Sequence, residues 1–448
     1  MKKLFVSMLV VLMAVAVALP ASAFEVKYGG LFRARFQAND NITGLPDELG
    51  SDNQNFVDQR LRVFMRFIAS ENLQLVTGWE MDTLWGGSLA KVQRGHRDTI
   101  NVELKHAYID FLIPCTPVRA KVGLQPLAFI NGWIVDEDFT AANLTATFDP
   151  VTVTAGYISE VNNDVTEWGD RVDDWYVAVQ YAQGPFTAGL VGFYQYGHDA
   201  GPISGFISDA PQGFDDNLFD LGVNLGYKMD WINVFLNYVQ NLGSYDSVVT
   251  GESVDYRGFM VEGGANFFVG PFTFSLGGFV TSGDNDEFAE FDDTYDGFVY
   301  PVGRSHYWSE IMGLGSLENT TGFPGQGDQV DPDFVGGYTA GDHPTNLWTV
   351  TAGAAWQCLD TTKLTFNYYY IGAYDSVISD TFVAPDGTIF FDTDSSIGHE
   401  FDFYVDQQIV DGLMLRLVGA YMIASDGYTI FSDDDDPWEL GARLQWSF

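Results

Sequence analysis

The chain has 448 residues, 46% of them hydrophobic and 15% aromatic, with 48 glycines and a formal net charge of −40. So acidic a chain is excluded as a nucleic-acid binder, and its two cysteines, Cys115 and Cys358, are too few for a secreted fold built on disulfides. After Ala23 no run of about 18 apolar residues offers a transmembrane helix, so the hydrophobicity is plentiful without being contiguous.

The first residues read as a cleavable signal peptide. Lys2 and Lys3 give a positive start, Leu4 to Leu19 form an apolar run, and Ala21-Ser22-Ala23 supplies small residues for cleavage. The run is short for a spanning helix, which needs about 20 residues. The expected organisation is therefore residues 1–23 as signal peptide and 24–448 as a single β-domain. Loss of Lys2 and Lys3 makes the mature chain two units more negative than −40.

From Phe24 onward the pattern is strict alternation. Val26, Tyr28, Phe32 and Phe36 oppose Glu25, Lys27, Arg33, Arg35 and Gln37, and next Leu61, Val63, Met65 and Phe67 oppose Arg60, Arg62 and Arg66. Around Val102 to Asp110 the phase slips, which predicts a bulge. Alternation returns at Phe219 to Tyr227 and at Leu364 to Tyr370. The last segment sets Trp438, Leu440, Ala442, Leu444, Trp446 and Phe448 against Glu439, Gly441, Arg443, Gln445 and Ser447. A terminal Phe on such a strand resembles the signal read by the assembly machinery of Gram-negative outer membranes.

Short turns are expected at Ser70 to Asn72, Pro114 to Pro117, Asp149-Pro150, Gln183 to Pro185, Asp230-Trp231, Gly270-Pro271, Leu359-Asp360 and Val410 to Gly412. Long connections are expected at Asp40 to Asn55, Gly86 to Asp98, Pro126 to Glu137, Ser159 to Val172 and Gly197 to Asp216. Four more follow at Leu242 to Asp255, Gly283 to Thr345, Asp375 to Ile397 and Asp426 to Pro437. Short turns alternating with long loops are the rule of transmembrane barrels, with turns in the periplasm and loops outside. The predicted fold is all-β: a transmembrane antiparallel up-and-down β-barrel of about 18 strands, with 16 as the alternative count.

A barrel that wide holds an aqueous lumen, so chemistry is sought on its lining. Of the 21 Lys and Arg, most of those after the leader lie before Val122. Arg33, Arg35, Arg60, Arg62, Arg66, Arg119 and Lys121 have inward parity, and Arg416 and Arg443 extend the same basic wall across the closing seam. In the third connection, Asp136, Glu137 and Asp138 follow the apolar stretch Phe129 to Val135, which is suited to folding inward. Basic wall and acidic loop together would form a constriction with a transverse field that orients dipoles and sorts ions. The plain alternative is that the arginines pair with Asp58, Glu80, Asp82 and Asp110 in a wet interior.

The acidic runs Asp284 to Asp293 and Asp433 to Asp436 fall in expected outer loops. They lack EF-hand spacing, so no dedicated metal or other cofactor is expected, only loosely held Ca2+ or Mg2+ and divalent bridging to lipopolysaccharide. Barrel enzymes need a His beside a Ser or carboxylate. The six histidines are scattered, with His399-Glu400 the one tight pairing, so no enzyme and no catalytic residue is expected.

Four segments carry a resemblance: Phe56 to Val63, Gly78 to Gly86, Val102 to Asp110 and Val122 to Leu127. They resemble the outer membrane homotrimeric porins of anaerobic Gram-negative bacteria. The resemblance implies a trimer of water-filled barrels in the cell outer membrane, embedded in lipid and lipopolysaccharide, passing ions and small hydrophilic solutes passively. The alternatives are a substrate-selective channel for anionic solutes or saccharides, and a surface barrel with binding or adhesion loops. Weak cation preference is expected, because the acidic surplus is assigned to the outer vestibule.

Overall fold

The computed structural model describes residues 25–42, 54–85, 101–162, 171–198, 214–247, 253–284, 294–301, 306–318, 341, 343–383, 389–428 and 436–448. The expected signal peptide lies outside them. The first strands are β1 Glu25–Asp40, β2 Gln54–Ser70, β3 Leu73–Leu84, β4 Asn101–Leu112, β5 Val118–Phe129, β6 Val135–Phe148 and β7 Val151–Asn162. There follow β8 Arg171–Gln183, β9 Phe186–His198, β10 Phe214–Lys228, β11 Ile232–Ser247, β12 Ser253–Tyr256, β13 Phe259–Val269 and β14 Phe272–Thr281. The chain ends with β15 Thr294–Tyr295, β16 Leu347–Leu359, β17 Thr362–Val383, β18 Ile389–Val410, β19 Leu413–Ala424 and β20 Trp438–Ser447.

These strands form one closed antiparallel barrel of 18 staves. β12 continues β13 across Arg257-Gly258 along the same neighbour, β11, and β15 pairs with β12 alone. The ring closes where β20 lies against β1, with Trp446 opposite Phe32 and Arg443 opposite Arg35. Phe448 completes the seam, exchanging backbone hydrogen bonds with Gly30 at 2.9 and 3.0 Å. Closure gives every stave a neighbour on both sides, sparing the wall the unpaired amides that lipid would penalise by roughly several kcal/mol per group.

Period-two alternation turns one side of each stave outward. Leu190, Leu221, Leu236, Leu276, Val350, Phe403, Leu417 and Leu440 are exposed on that side and form an apolar belt. Aromatic residues border it at both levels. Tyr157, Trp175 and Tyr194 stack toward the loop end, while Phe186–Tyr227, Phe272–Trp356 and Trp446–Phe448 pack toward the turn end. Rings with an apolar body and a polar tip sit where hydrocarbon meets headgroups.

All eight expected turns join strands where predicted. The phase slip in β4 is a bulge at Lys105, between the pairs Gly78↔His106 and Trp79↔Leu104. Two expected loops are different. Asp375 to Ile397 is largely a continuation of β17 and β18, each 22 residues long, which stand beyond the belt. Past the lipid both faces are wet, so the ladder persists while the apolar alternation that marks a strand disappears. The other correction, in the third connection, shapes the lumen.

Candidate functional site

The third connection is not a long loop but a hairpin arm. β5 pairs with β4 only as far as Leu124, and β6 pairs with β7 only from Ala141, so the strand residues of 125–139 leave the wall paired with each other. Asp136, Glu137 and Asp138, predicted as loop acids, therefore stand in strand β6 opposite Ala128, Leu127 and Pro126. Asp138 faces the wall, with Lys105 at 2.9 Å and His106 at 2.9 Å, and Asp136 and Glu137 are exposed. An arm inside the barrel has no lipid-facing side, which is why no alternation marks it.

The tip of the arm, Ile130 to Val135, crosses the lumen. Phe129 packs on Tyr176 of β8 with ring centroids 4.7 Å apart, and Trp133, Ile134 and Val135 are wholly buried. The indole of Trp133 donates to Glu262 of β13 at 2.7 Å, and Asn237 of β11 donates to the same oxygen at 2.7 Å. Gly222 on the inner face of β10 makes room: a Cβ there would lie 2.6 Å from Ile130 and 2.7 Å from Ile134.

A second insertion comes from the long connection between β14 and β16. Its segment 306–318 folds into the barrel and meets the arm, with His306 4.1 Å from the Trp133 ring and its Nδ1 3.2 Å from the Asn131 carbonyl. The apolar side chains Ile311, Met312, Leu314 and Leu317 are buried, and Leu317 sits directly over Gly441, where a Cβ would collide with it. Two inward carboxylates of β18 hold the backbone. Glu400 accepts from Ser309 Oγ at 2.9 Å, Ile311 N at 2.7 Å and Met312 N at 3.2 Å, and Asp402 accepts from Glu310 N at 3.3 Å. Glu310 in turn accepts from Ser316 N and Oγ at 2.8 and 2.7 Å and from Leu317 N at 3.2 Å, tying the loop to itself.

Ser316 to Glu318 of that segment lie on the basic wall. Glu318 lies 2.5 Å from Arg33, 3.4 Å from Arg60 and 3.9 Å from Arg443, while Arg35 donates to its carbonyl at 3.1 Å. Arg443 also donates to Ser316 O at 2.8 Å. Burial pushes the Glu318 carboxyl up, but the charge and hydrogen bond of Arg33, with the charges of Arg60 and Arg35, outweigh it and hold the group at about 2. Arg33 and Arg35 are themselves buried. At these two positions the wall is the seat of a loop.

The other predicted basic residues all face inward, each with a partner. Arg35 grips Asp58 through Nε at 3.0 Å and Nη2 at 2.5 Å, and Arg60 grips Asp82 at 2.8 and 3.0 Å. Arg62 pairs with Glu80, Arg119 with Asp110, and Arg66 donates to Gln74 at 2.8 Å. Lys121 lies 5.7 Å from the Tyr108 ring centroid. Arg416 holds Asp406 at 2.6 and 3.0 Å. Register places Arg416, Arg443 and Arg35 in one row across the seam, and Arg33 beside Arg60 in the next. Like charges directly opposed cost stability unless neutralised; here Asp406, Asp58 and Glu318 neutralise them.

The residues the sequence reading missed are the acids of the docked loop and their receivers: Glu310, Glu318, Asp402, and Glu400 as an acceptor. His399-Glu400, noted only as a pair of neighbours, is split by the strand. Glu400 points into the lumen, while His399 points out and stacks on Tyr370 at 4.8 Å. The acidic runs at 285–293 and 433–435 lie outside the described residues.

One sector of the lumen carries little bulk. The inner faces of β14, β16 and β17 present Ser275, Gly277, Gly353, Ala355 and Thr365, all partly exposed. Beside them, between β17, β18 and the loop, lies a cavity of about 270 Å³ bordered by Trp308, Asn367, Tyr404 and Arg416.

No protein-family model matches the chain, and no curated protein matches it. Among solved structures, the outer membrane protein OpdK of Pseudomonas aeruginosa is similar at 12% identity and a TM-score of 0.56, covering 95% of this chain and 99% of that one. OpdK with vanillate is similar at 12% identity and 0.54, covering 95% and 98%. OccAB3 of Acinetobacter baumannii is similar at 10% identity and 0.55, covering 95% and 99%. At these identities the likeness establishes the fold, an outer-membrane-type barrel spanning the described chain from end to end.

Proposed function

We propose that the protein is an outer-membrane channel through which ions and small hydrophilic solutes diffuse passively, not an enzyme. The observation that carries this is the division of the lumen. The arm and the segment 306–318 fill part of the barrel, while beside them the inner faces of β14, β16 and β17 carry small, partly exposed residues and a cavity of about 270 Å³. An apolar belt with two aromatic borders supports the membrane setting. Purified protein in a planar bilayer is expected to give ohmic current steps; a folded, inserted protein that insulates at every voltage contradicts the proposal.

The resemblance of Phe56 to Val63 and the segments after it supports a homotrimer. Native mass measurement in detergent is expected to return three chains, and a single-chain mass would count against it. The acidic runs Asp284 to Asp293 and Asp433 to Asp436 suit loosely held divalent ions between protein and lipopolysaccharide.

A second reading is a substrate-selective channel for anionic solutes. It is favoured by Arg60, Arg62, Arg119 and Arg443, which face the lumen and keep part of their surface exposed, and by the similar OpdK structure solved with vanillate. Saturable block of the current by such an anion is its signature; strictly linear behaviour removes it.

A further inference from the structure

We propose that the cavity between β17, β18 and the docked loop is a subsite for a neutral, polyhydroxylated solute the size of one monosaccharide. The inference rests on the channel reading and names a class of solute for it.

Charge is the first argument. The cavity contains two cations, Lys363 and Arg416, and both are directed at one carboxylate: Asp406 lies 3.6 Å from Lys363 and 2.6 Å from Arg416. The carboxylate in the lining itself, Glu310, is turned into the loop, where Ser316 and Leu317 donate to it. Asp406 behind the lining thus answers both cations, and Asp402 lies 3.1 Å from the Tyr404 hydroxyl, so the site has no surplus positive charge to offer an organic anion. A net-charged guest would lose hydration without gaining a free counter-charge, whereas a neutral guest meets no such loss.

The lining is the second argument. Thr365 and Asn367 are consecutive inward positions on β17, so their hydroxyl and amide stand about 7 Å apart along the strand and face the cavity. A hydroxyl and a carboxamide together offer both donors and acceptors, matching alcohols that do both. Around them are aromatic surfaces. Tyr307 is 48% exposed, and Trp308 is held by its indole donating to Gly341 O at 3.0 Å and by edge contact with Phe279 at 5.1 Å. Tyr404 lies under the Arg416 guanidinium at 5.4 Å. Rigid ring faces beside a few convergent hydrogen-bonding groups make the general form of a small-molecule site.

Size and place agree. A volume of about 270 Å³ is just below the range of drug-sized pockets, roughly 300–1,000 Å³, and suits a single sugar ring. Gly353, opposite Asn367 in register, makes room for the Asn367 carboxamide, whose Oδ1 would lie 2.6 Å from a Cβ placed there. A conducting path needs such sites to hold a solute weakly.

The test uses the full-length, membrane-extracted protein with D-glucose and vanillate as probes, compared with the double variant Thr365→Val, Asn367→Leu. Heat of binding in detergent and current block in a planar bilayer are both measured, and band shift on heating in SDS confirms that each variant keeps its barrel. The expected result is saturable binding and block by D-glucose, weakened about five-fold or more in the variant for the loss of hydrogen bonds. Glucose responses that are linear, or identical in the variant, overturn the subsite, as does saturable vanillate binding lost in the same variant. An insulating bilayer contradicts the channel reading alone; calorimetry then decides the subsite by itself.

Discussion

The Glu318 carboxylate and the Arg33 guanidinium stand 2.5 Å apart although 285 positions separate them in the chain. That contact joins the lumenal segment to the first strand of the barrel at the closing seam, where Arg33 stands opposite Gln445. It makes the basic wall a docking seat for that segment.

Removing the acid tests that role. Glu318→Gln leaves Arg33 buried without its carboxylate, a loss of about 1–3 kcal/mol for an unpaired buried partner, and frees the end of the loop. Single-channel conductance is expected to rise and to fluctuate more than in the parent protein. Conductance and noise unchanged from the parent would show that the loop is held without this pair.

Acid should act on the same contact. The Glu318 carboxyl is lowered from 4.5 to about 2 in the folded protein, so the stabilisation it gives is complete above the unfolded value and is lost as pH falls from 4.5 toward 2. Conductance is expected to stay level from neutral pH to about 5 and to rise below that. In Glu318→Gln the acid-induced rise from this group disappears. A wild-type transition centred near neutral pH would point to another group.

The arm makes a steric prediction. Gly222→Val introduces methyl groups where a Cβ alone would be 2.6 Å from Ile130. Overpacking of this kind costs roughly 1–3 kcal/mol, and it acts on the tip and not on the wall. Fluorescence of Trp133, isolated by replacing other tryptophans, should shift toward the exposed value while the barrel still resists SDS without heating. An unshifted spectrum would mean the tip packs elsewhere.

How much of this was legible in the sequence differs from part to part. Alternation on a stave bounded by lipid is a strong signal, so the eight turns, the inward parity of Arg35, Arg416 and Arg443, and the bulge near Lys105 could all be read from it. The arm could be read only in part: Phe129 to Val135 is apolar enough to be seen turning inward, but Asp136, Glu137 and Asp138 look like a loop because a hairpin inside the barrel has no apolar face to alternate with. Glu310 and Glu318 carry no local mark at all. Their partners are Ser316, Leu317 and arginines on β1, β2 and β20, and only the folded loop brings the distant ones together.

Ion preference is a separate test. With Arg33 and Arg35 buried under the loop, and the remaining wall arginines paired with carboxylates or amides, the chain's net charge of −40 is left to govern the approach to the pore. The reversal potential in a salt gradient is expected to show weak cation preference. An anion-directed potential would assign control to the exposed guanidinia of Arg60, Arg62 and Arg119.

An open barrel narrowed by a loop seated on its arginines should widen when that loop is removed. The most direct measurement is single-channel conductance of the intact protein beside a variant whose residues 309–318 are replaced by a flexible Gly-Ser linker. The account predicts ohmic steps from both, distinctly larger in the variant. Equal steps, or an insulating bilayer from both folded proteins, would contradict it.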